Sequence, residues 1–212
     1  YVVSKGTFEL PNDLADAKEK EFRKEFDRLV GMENVKSSAT KYYSFVQYKK
    51  TAESHGIKLE DTSLHMLFTG NPGTGKTTVA RILTKALYDI GIIEENKLVE
   101  VRSRDLVTND PCETVKKTMA VLKEAMNGVL LINEANALMV KSESKTYEAE
   151  AIATLIGAME TRKDKMIIIF AGNRGEMERF LEMNPDIQSR IGFAFHFDDY
   201  SEAELLEIFK KK

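Results

Sequence analysis

Eight consecutive residues, Gly70-Asn71-Pro72-Gly73-Thr74-Gly75-Lys76-Thr77, fit the phosphate-loop pattern G-x-x-x-x-G-K-[ST] at every defined position. Gly70, Gly73 and Gly75 let the backbone take φ > 0, and they offer no Cβ to collide with phosphate oxygens. The freed N–H groups of Gly70 to Thr78, all but Pro72, which has none, together with the positive end of the following helix, then face an anion. Lys76 supplies a point charge for the β- and γ-phosphates, and the Thr77 hydroxyl is placed to ligate Mg²⁺. A chance Gly-rich turn between a core strand and a core helix is the plain alternative. The context opposes it, because an apolar run at His65–Thr69 precedes the loop. A helical pattern of Val79, Ala80, Ile82, Leu83, Ala86 and Leu87 follows it. The stretch predicts a site for a nucleoside triphosphate, ATP or ADP with Mg²⁺.

The elements around it alternate. A helix is expected after Asn12 or Asp13, with Leu14, Ala17, Phe22, Phe26 and Leu29 at helical spacing. A second carries Val35, Ala39, Tyr42, Tyr43 and Val46 as far as Gly56. Strands are expected at Lys97–Val101, Val129–Ile132, Met166–Ala171 and Phe193–Phe197. Between them lie a helix over Thr114–Met126, with Val115, Met119, Leu122 and Met126 on its inner face, and one carrying Ala151, Ile152, Leu155, Ile156 and Met159. Residues 1–11 read as a strap, KSESKTYE (141–148) as an exposed polar loop and Pro185–Arg190 as a short element; Ser201 and Glu204 form a capping box. Near-continuous apolar strands alternating with helices predict an α/β fold with a parallel sheet covered on both faces.

Ligands of such sheets bind beyond the carboxyl ends of the strands, so the residues there are candidates for the rest of the chemistry. Asn133-Glu134 follows VLLI, and Asn173 follows MIIIFAG. Glu134 suits the polarising of an attacking water, Asn173 suits holding that water or the γ-phosphate, and Asn133 can bind Mg²⁺ through water. Glu134 could instead be an acid at the next helix start, and Asn173 a turn residue.

The totals exclude several classes. With 31 Lys+Arg against 34 Asp+Glu the net charge is -3, and no basic block marks a nucleic-acid face. The single cysteine, Cys112, forms no internal disulfide, which points to the cytoplasm or another reducing intracellular compartment. The three histidines, His55, His65 and His196, lack metal-ligand spacing. No run is long enough to span a membrane. A start at Tyr1 and an end in FKKK read as a piece of something longer.

The stretches FDRLVGMENVK, LHMLFTGNPGTGKTTVA, VLKEAMNGVLLINEA, IIIFAGNRGEMERF and NPDIQSRIGFAFHFDDYS, with ELLEI after them, cover most of residues 26–208. In them the chain resembles the AAA+ ATPases, in particular the subgroup of red-type Rubisco activase and stage V sporulation protein K. The resemblance implies a P-loop NTPase three-layer sandwich with a five-stranded parallel sheet in the order 5-1-4-3-2. Residues 1–25 would then be a strap and helix, and 26–212 a large nucleotide-binding subdomain stopping before a helical lid that would carry the sensor-2 arginine. It also implies hexameric rings with other AAA+ domains, an adenine-contacting turn at Val30-Gly31, a catalytic acid at Glu134, a sensor at Asn173 and a trans-acting arginine at Arg190. The isolated chain would be a monomer.

The departures from that pattern bear on activity. Asn133 stands where an aspartate is usual, and losing a charge-assisted hydrogen bond costs about 1.5–3 kcal/mol. Confined to the transition state, that is roughly ten- to a hundredfold in rate. The flexible, aromatic pore loop is replaced by Leu106-Val107-Thr108-Asn109-Asp110-Pro111-Cys112, and Gln188 replaces an additional arginine. These substitutions favour an ATP-binding module with weak hydrolysis and a regulatory or structural role. The alternatives are an active remodelling ATPase with a protein client, and a P-loop kinase of a small metabolite.

Overall fold

In the computed structural model, residues 12–57, 62–139, 147–162 and 165–211 are described. The expected strap over 1–11 and most of the 141–148 loop lie outside the described residues. Five strands run β1 (His65–Gly70), β2 (Leu98–Arg102), β3 (Val129–Asn133), β4 (Ile167–Gly172) and β5 (Ile191–Phe197). They form one sheet in the order β2-β3-β4-β1-β5, every pairing parallel. Read from the other edge, this is the expected 5-1-4-3-2.

Period-two alternation splits the strand side chains between two cores. Met66, Phe68, Val129, Leu131, Ile167, Ile169, Phe195 and Phe197 face one layer, made by α1 (Asn12–Asp27), α2 (Glu33–Ser54) and α3 (Lys76–Ile90). That layer adds Phe22 and Phe26 from α1, then Val35, Ala39, Tyr42, Tyr43 and Val46 from α2, all buried. Leu67, Leu130, Ile132, Ile168 and Phe170 face the other layer, made by α4 (Pro111–Glu124), α5 (Tyr147–Thr161), α6 (Arg174–Met183) and the single turn α7 (Pro185–Gln188). Each large apolar side chain buried this way contributes about 1.5–3 kcal/mol. A last helix, α8 (Glu202–Lys211), follows β5. Its start is the expected capping box: the Ser201 N–H donates to the Glu204 carboxylate at 2.7 Å, and the Glu204 N–H to the Ser201 hydroxyl at 3.4 Å.

Three details differ from expectation. Ala17 is exposed. Tyr147 and Glu148 open α5 instead of closing a loop. In α4 the inner face is Thr114, Thr118 and Leu122, while Met119 lies 41% exposed. The two threonines are buried because their hydroxyls satisfy the preceding loop: Thr118 donates to the Leu106 carbonyl at 3.0 Å, and Thr114 accepts the Thr108 N–H at 2.9 Å.

His65 opens β1 at 2% exposure, and its Nδ1 accepts the Ile168 N–H at 3.0 Å. Burial pushes its pKa down to about 4, against a smaller opposing pull from the backbone of Met159. Above the ordinary value of 6.5 the ring is neutral folded or unfolded. Between 6.5 and about 4 only the unfolded chain takes the proton, so stability falls as pH falls through that window. Urea titrations at pH 7 and 5.5 should show a smaller loss for His65→Gln, whose amide can still accept the Ile168 N–H, than for the unaltered chain.

Candidate functional site

The loop from Gly70 to Gly75 joins the carboxyl end of β1 to the start of α3. Gly70, Gly73 and Gly75 adopt φ of +154°, +83° and +90°. At Gly70 a Cβ would lie 2.5 Å from the Phe197 carbonyl oxygen, and at Gly75 it would lie 2.4 Å from Met32 Cε. These two glycines therefore admit the neighbouring chain as much as any ligand. Gly73 faces open space, and its φ is the reason for glycine there. Thr74 braces the loop by donating to the Asn71 carbonyl at 2.7 Å. Asn71, Pro72, Gly73 and Thr78 are exposed, so the loop's outer surface and the first turn of α3 are open to an anion.

Lys76 folds over the loop. Its ammonium donates to the carbonyls of Gly70 at 2.8 Å and Asn71 at 2.7 Å. Desolvation lowers its pKa, only partly opposed by the Asp199 carboxylate. A half-buried cation held by neutral carbonyls is stabilised by an arriving anion, which is what a phosphate supplies.

Val30-Gly31 lies beside this loop. Val30 is buried, Gly31 has φ +62° and Met32 φ +60°, and the Met32 thioether packs against Gly75. Residues following β5 close the same corner. Asn34 donates to Asp198 at 2.7 Å, Asn71 donates to both Asp199 carboxylate oxygens at 2.9 and 3.0 Å, and Glu204 crowds Gly31. Met32 and Asp199 were not singled out in the sequence, and Glu204 was singled out only as half of the capping box that opens α8, not for its contact with Gly31.

The carboxyl ends of β3 and β4 bring the other candidates together. Glu134 takes an αL backbone (φ +54°), which costs a non-glycine residue about 1–3 kcal/mol. It is held there by hydrogen bonds to its carbonyl from the Ser103 hydroxyl at 2.5 Å and the Ala137 N–H at 2.8 Å. The Glu134 side chain is exposed and makes no cap hydrogen bond to the 3₁₀ turn it precedes. Asn173 likewise precedes α6 without a side-chain cap bond, and its amide reaches Glu176 at 3.3 Å. Glu176 also accepts from Asn136 at 2.7 Å, tying the two strand ends together. Neither Glu176 nor Asn136 was anticipated.

Thr77 and Asn133 meet through a third side chain. The Glu100 carboxylate on β2 accepts from the Thr77 hydroxyl at 3.1 Å and the Asn133 amide at 2.8 Å. Hydroxyl, carboxylate and carboxamide oxygens are the donor types a hard cation such as Mg²⁺ takes. Among the described residues no three His, Cys, Asp or Glu cluster as a self-sufficient metal cage. The residues present therefore fit Mg²⁺ held jointly with nucleotide phosphates.

Arg190 stands apart. It immediately precedes β5, whose Ile191 pairs with His65, at the opposite end of the sheet from Gly70. Its guanidinium pairs with Glu160 and donates to the Asp186 carbonyl at 2.6 Å. It also lines a cavity of about 840 Å³ that contains no other candidate residue.

The family described as "ATPase family associated with various cellular activities (AAA)" matches residues 66–199. This chain belongs to that AAA ATPase family. It is 38% identical over 192 residues to Stage V sporulation protein K of Bacillus subtilis, covering 91% of this chain and 59% of that protein. Against the chloroplastic ribulose bisphosphate carboxylase/oxygenase activase of Cyanidioschyzon merolae it is 38% identical over 209 residues, covering 98% of this chain and 71% of the relative. With the ESX-1 secretion system protein EccA1 of Mycobacterium tuberculosis it shares 38% over 190 residues, only 33% of that protein's length. The FIGL-1 AAA domain, solved with ADP, superposes with a TM-score of 0.60 at 18% identity, over 88% of this chain and 59% of that one, a likeness of fold alone. Membership in an ATPase family leaves the small-metabolite kinase alternative without support. Lys76→Ala should abolish binding of a fluorescent ATP analogue while leaving the unfolding midpoint little changed; unaltered affinity would remove the loop from the site.

Proposed function

We propose that this chain is an ATP-binding module of an AAA+ ring, slow in hydrolysis when alone and regulatory or structural in role. In this reading Lys76 and the loop N–H groups hold the phosphates, and the Thr77 hydroxyl and the Asn133 carboxamide oxygen would hold Mg²⁺, directly or through water, which would supply charge neutralisation. Glu134 takes the proton of an attacking water, Asn173 orients that water, and Val30-Gly31 contacts the base. Arg190 serves the site of a neighbouring subunit.

The observation that carries the regulatory reading is the turn at Thr108–Pro111, where an AAA+ remodeller has a flexible gripping loop. Asp110 caps α4 by accepting the Glu113 N–H at 2.8 Å, Pro111 occupies the first turn, and the Thr108 hydroxyl donates to the Asp110 carbonyl at 2.9 Å. A loop whose polar groups are spent on capping a helix is stiff, and it presents no aromatic side chain to a polypeptide. The second reading, an active remodelling ATPase, draws support from Glu100, which restores a negative charge beside Asn133.

The position of Arg190 supports dependence on a neighbour, because its own phosphate loop lies at the other end of the sheet. Arginine fingers contribute about 10³–10⁵ in rate where measured, more than the roughly ten- to a hundredfold attached to Asn133. Turnover per chain should therefore rise with protein concentration as light scattering reports assembly. Arg190→Ala should remove that rise without weakening nucleotide binding. Concentration-independent turnover by a monomer would contradict the proposal.

A further inference from the structure

Glu100 lies on the edge strand β2, in register with Leu131 of β3, on the same face of the sheet as Asn133 two residues further on. The α3 helix crosses that face, and Thr77 and Arg81, four residues apart on one side of it, both reach the Glu100 carboxylate. Oε1 accepts from the Thr77 hydroxyl at 3.1 Å and from Asn133 Nδ2 at 2.8 Å, while Arg81 stands 3.7 Å from Oε2. Arg81 is 70% exposed, so water screens much of its charge.

The direction of these hydrogen bonds matters more than their number. A hydroxyl has one proton and two lone pairs. Thr77 donates its proton to Glu100, which leaves its lone pairs for a cation. A carboxamide has a donating and an accepting end. Asn133 donates through Nδ2, which leaves Oδ1 to accept from a metal-bound water. Both neutral residues are thus oriented by the same carboxylate, and that carboxylate carries the one negative charge among the three.

We propose that Glu100 is the anion of the magnesium site, a positioning residue that supplies from β2 the charge that Asn133 does not supply from β3. This rests on reading the phosphate loop as a Mg²⁺–nucleotide site. It makes Asn133 one half of a pair whose other half is an acid on the neighbouring strand, so its neutrality need not mean a site without charge. A surface acid serving only Arg81 would leave the response to magnesium untouched.

The test compares affinity for a non-hydrolysable ATP analogue, by calorimetry, in Mg²⁺ and in EDTA. The proteins are the unaltered chain, Glu100→Gln and the double variant Glu100→Gln/Asn133→Asp, with circular dichroism confirming that each is folded. Magnesium should strengthen binding to the unaltered chain, Glu100→Gln should cut that enhancement by about tenfold, and the double variant should regain most of it. Full enhancement in Glu100→Gln, or a folded double variant that regains none, overturns the role of Glu100. An unaltered chain that binds no nucleotide in either condition overturns the underlying site instead.

Discussion

The parallel pairing of β1 with β4 on one side and β5 on the other fixes where the phosphate loop begins. Gly70 is paired with Phe197, and the absence of a side chain there lets the β5 backbone pass within the space a Cβ would fill. From that contact the loop turns, α3 starts, and Lys76 folds back onto the carbonyls of Gly70 and Asn71. Because every strand runs the same way, the ends of β3 and β4 reach the same edge as β1. The exposed Glu134 and Asn173 lie there as a consequence of sheet direction, not of any local motif. The same rule sends Arg190, at the head of β5, to the far side.

The chemistry at that edge is concentrated in few charges. Lys76 is partly desolvated and faces carbonyls, and Glu100 gathers the polar groups of Thr77 and Asn133. Glu176 joins Asn136 and Asn173. The Glu100 cluster spans β2, β3 and α3, and the Glu176 cluster ties the end of β3 to the end of β4, so each couples the placement of a strand end to that of its neighbours. The αL backbone at Glu134 is sustained by hydrogen bonds from Ser103 and Ala137, which locate the carboxylate without using it as a helix cap.

Much of this was legible in the sequence, for physical reasons that differ residue by residue. The phosphate loop is local, so spacing alone reveals it. The buried strands Val129–Asn133 and Ile167–Gly172 are continuous apolar runs, which only a sheet covered on both faces explains. The α4 face was misjudged because hydrophobic periodicity favours Met119 over Thr118, whereas the buried threonine hydroxyls answer to the loop before the helix. Glu100 escaped notice because an acid in an alternating strand reads as a solvent-facing residue. Its role depends on two partners, 23 and 33 residues away along the chain. Met32 and Asp199 reach the phosphate loop, and Glu204 reaches Gly31, through tertiary packing that no spacing encodes.

The proposed function puts a single nucleotide site at the carboxyl ends of the strands, reaching from Val30 to Asn173, and none in the cavity beside Arg190. Amide hydrogen exchange with and without ADP and Mg²⁺ addresses it directly, peptide by peptide. Exchange should slow at residues 70–78 and 30–32 and at the ends of β3 and β4, with residues 189–192 unchanged in the monomer. Protection confined to residues 189–192 and 159–160, with none at 70–78, would contradict it.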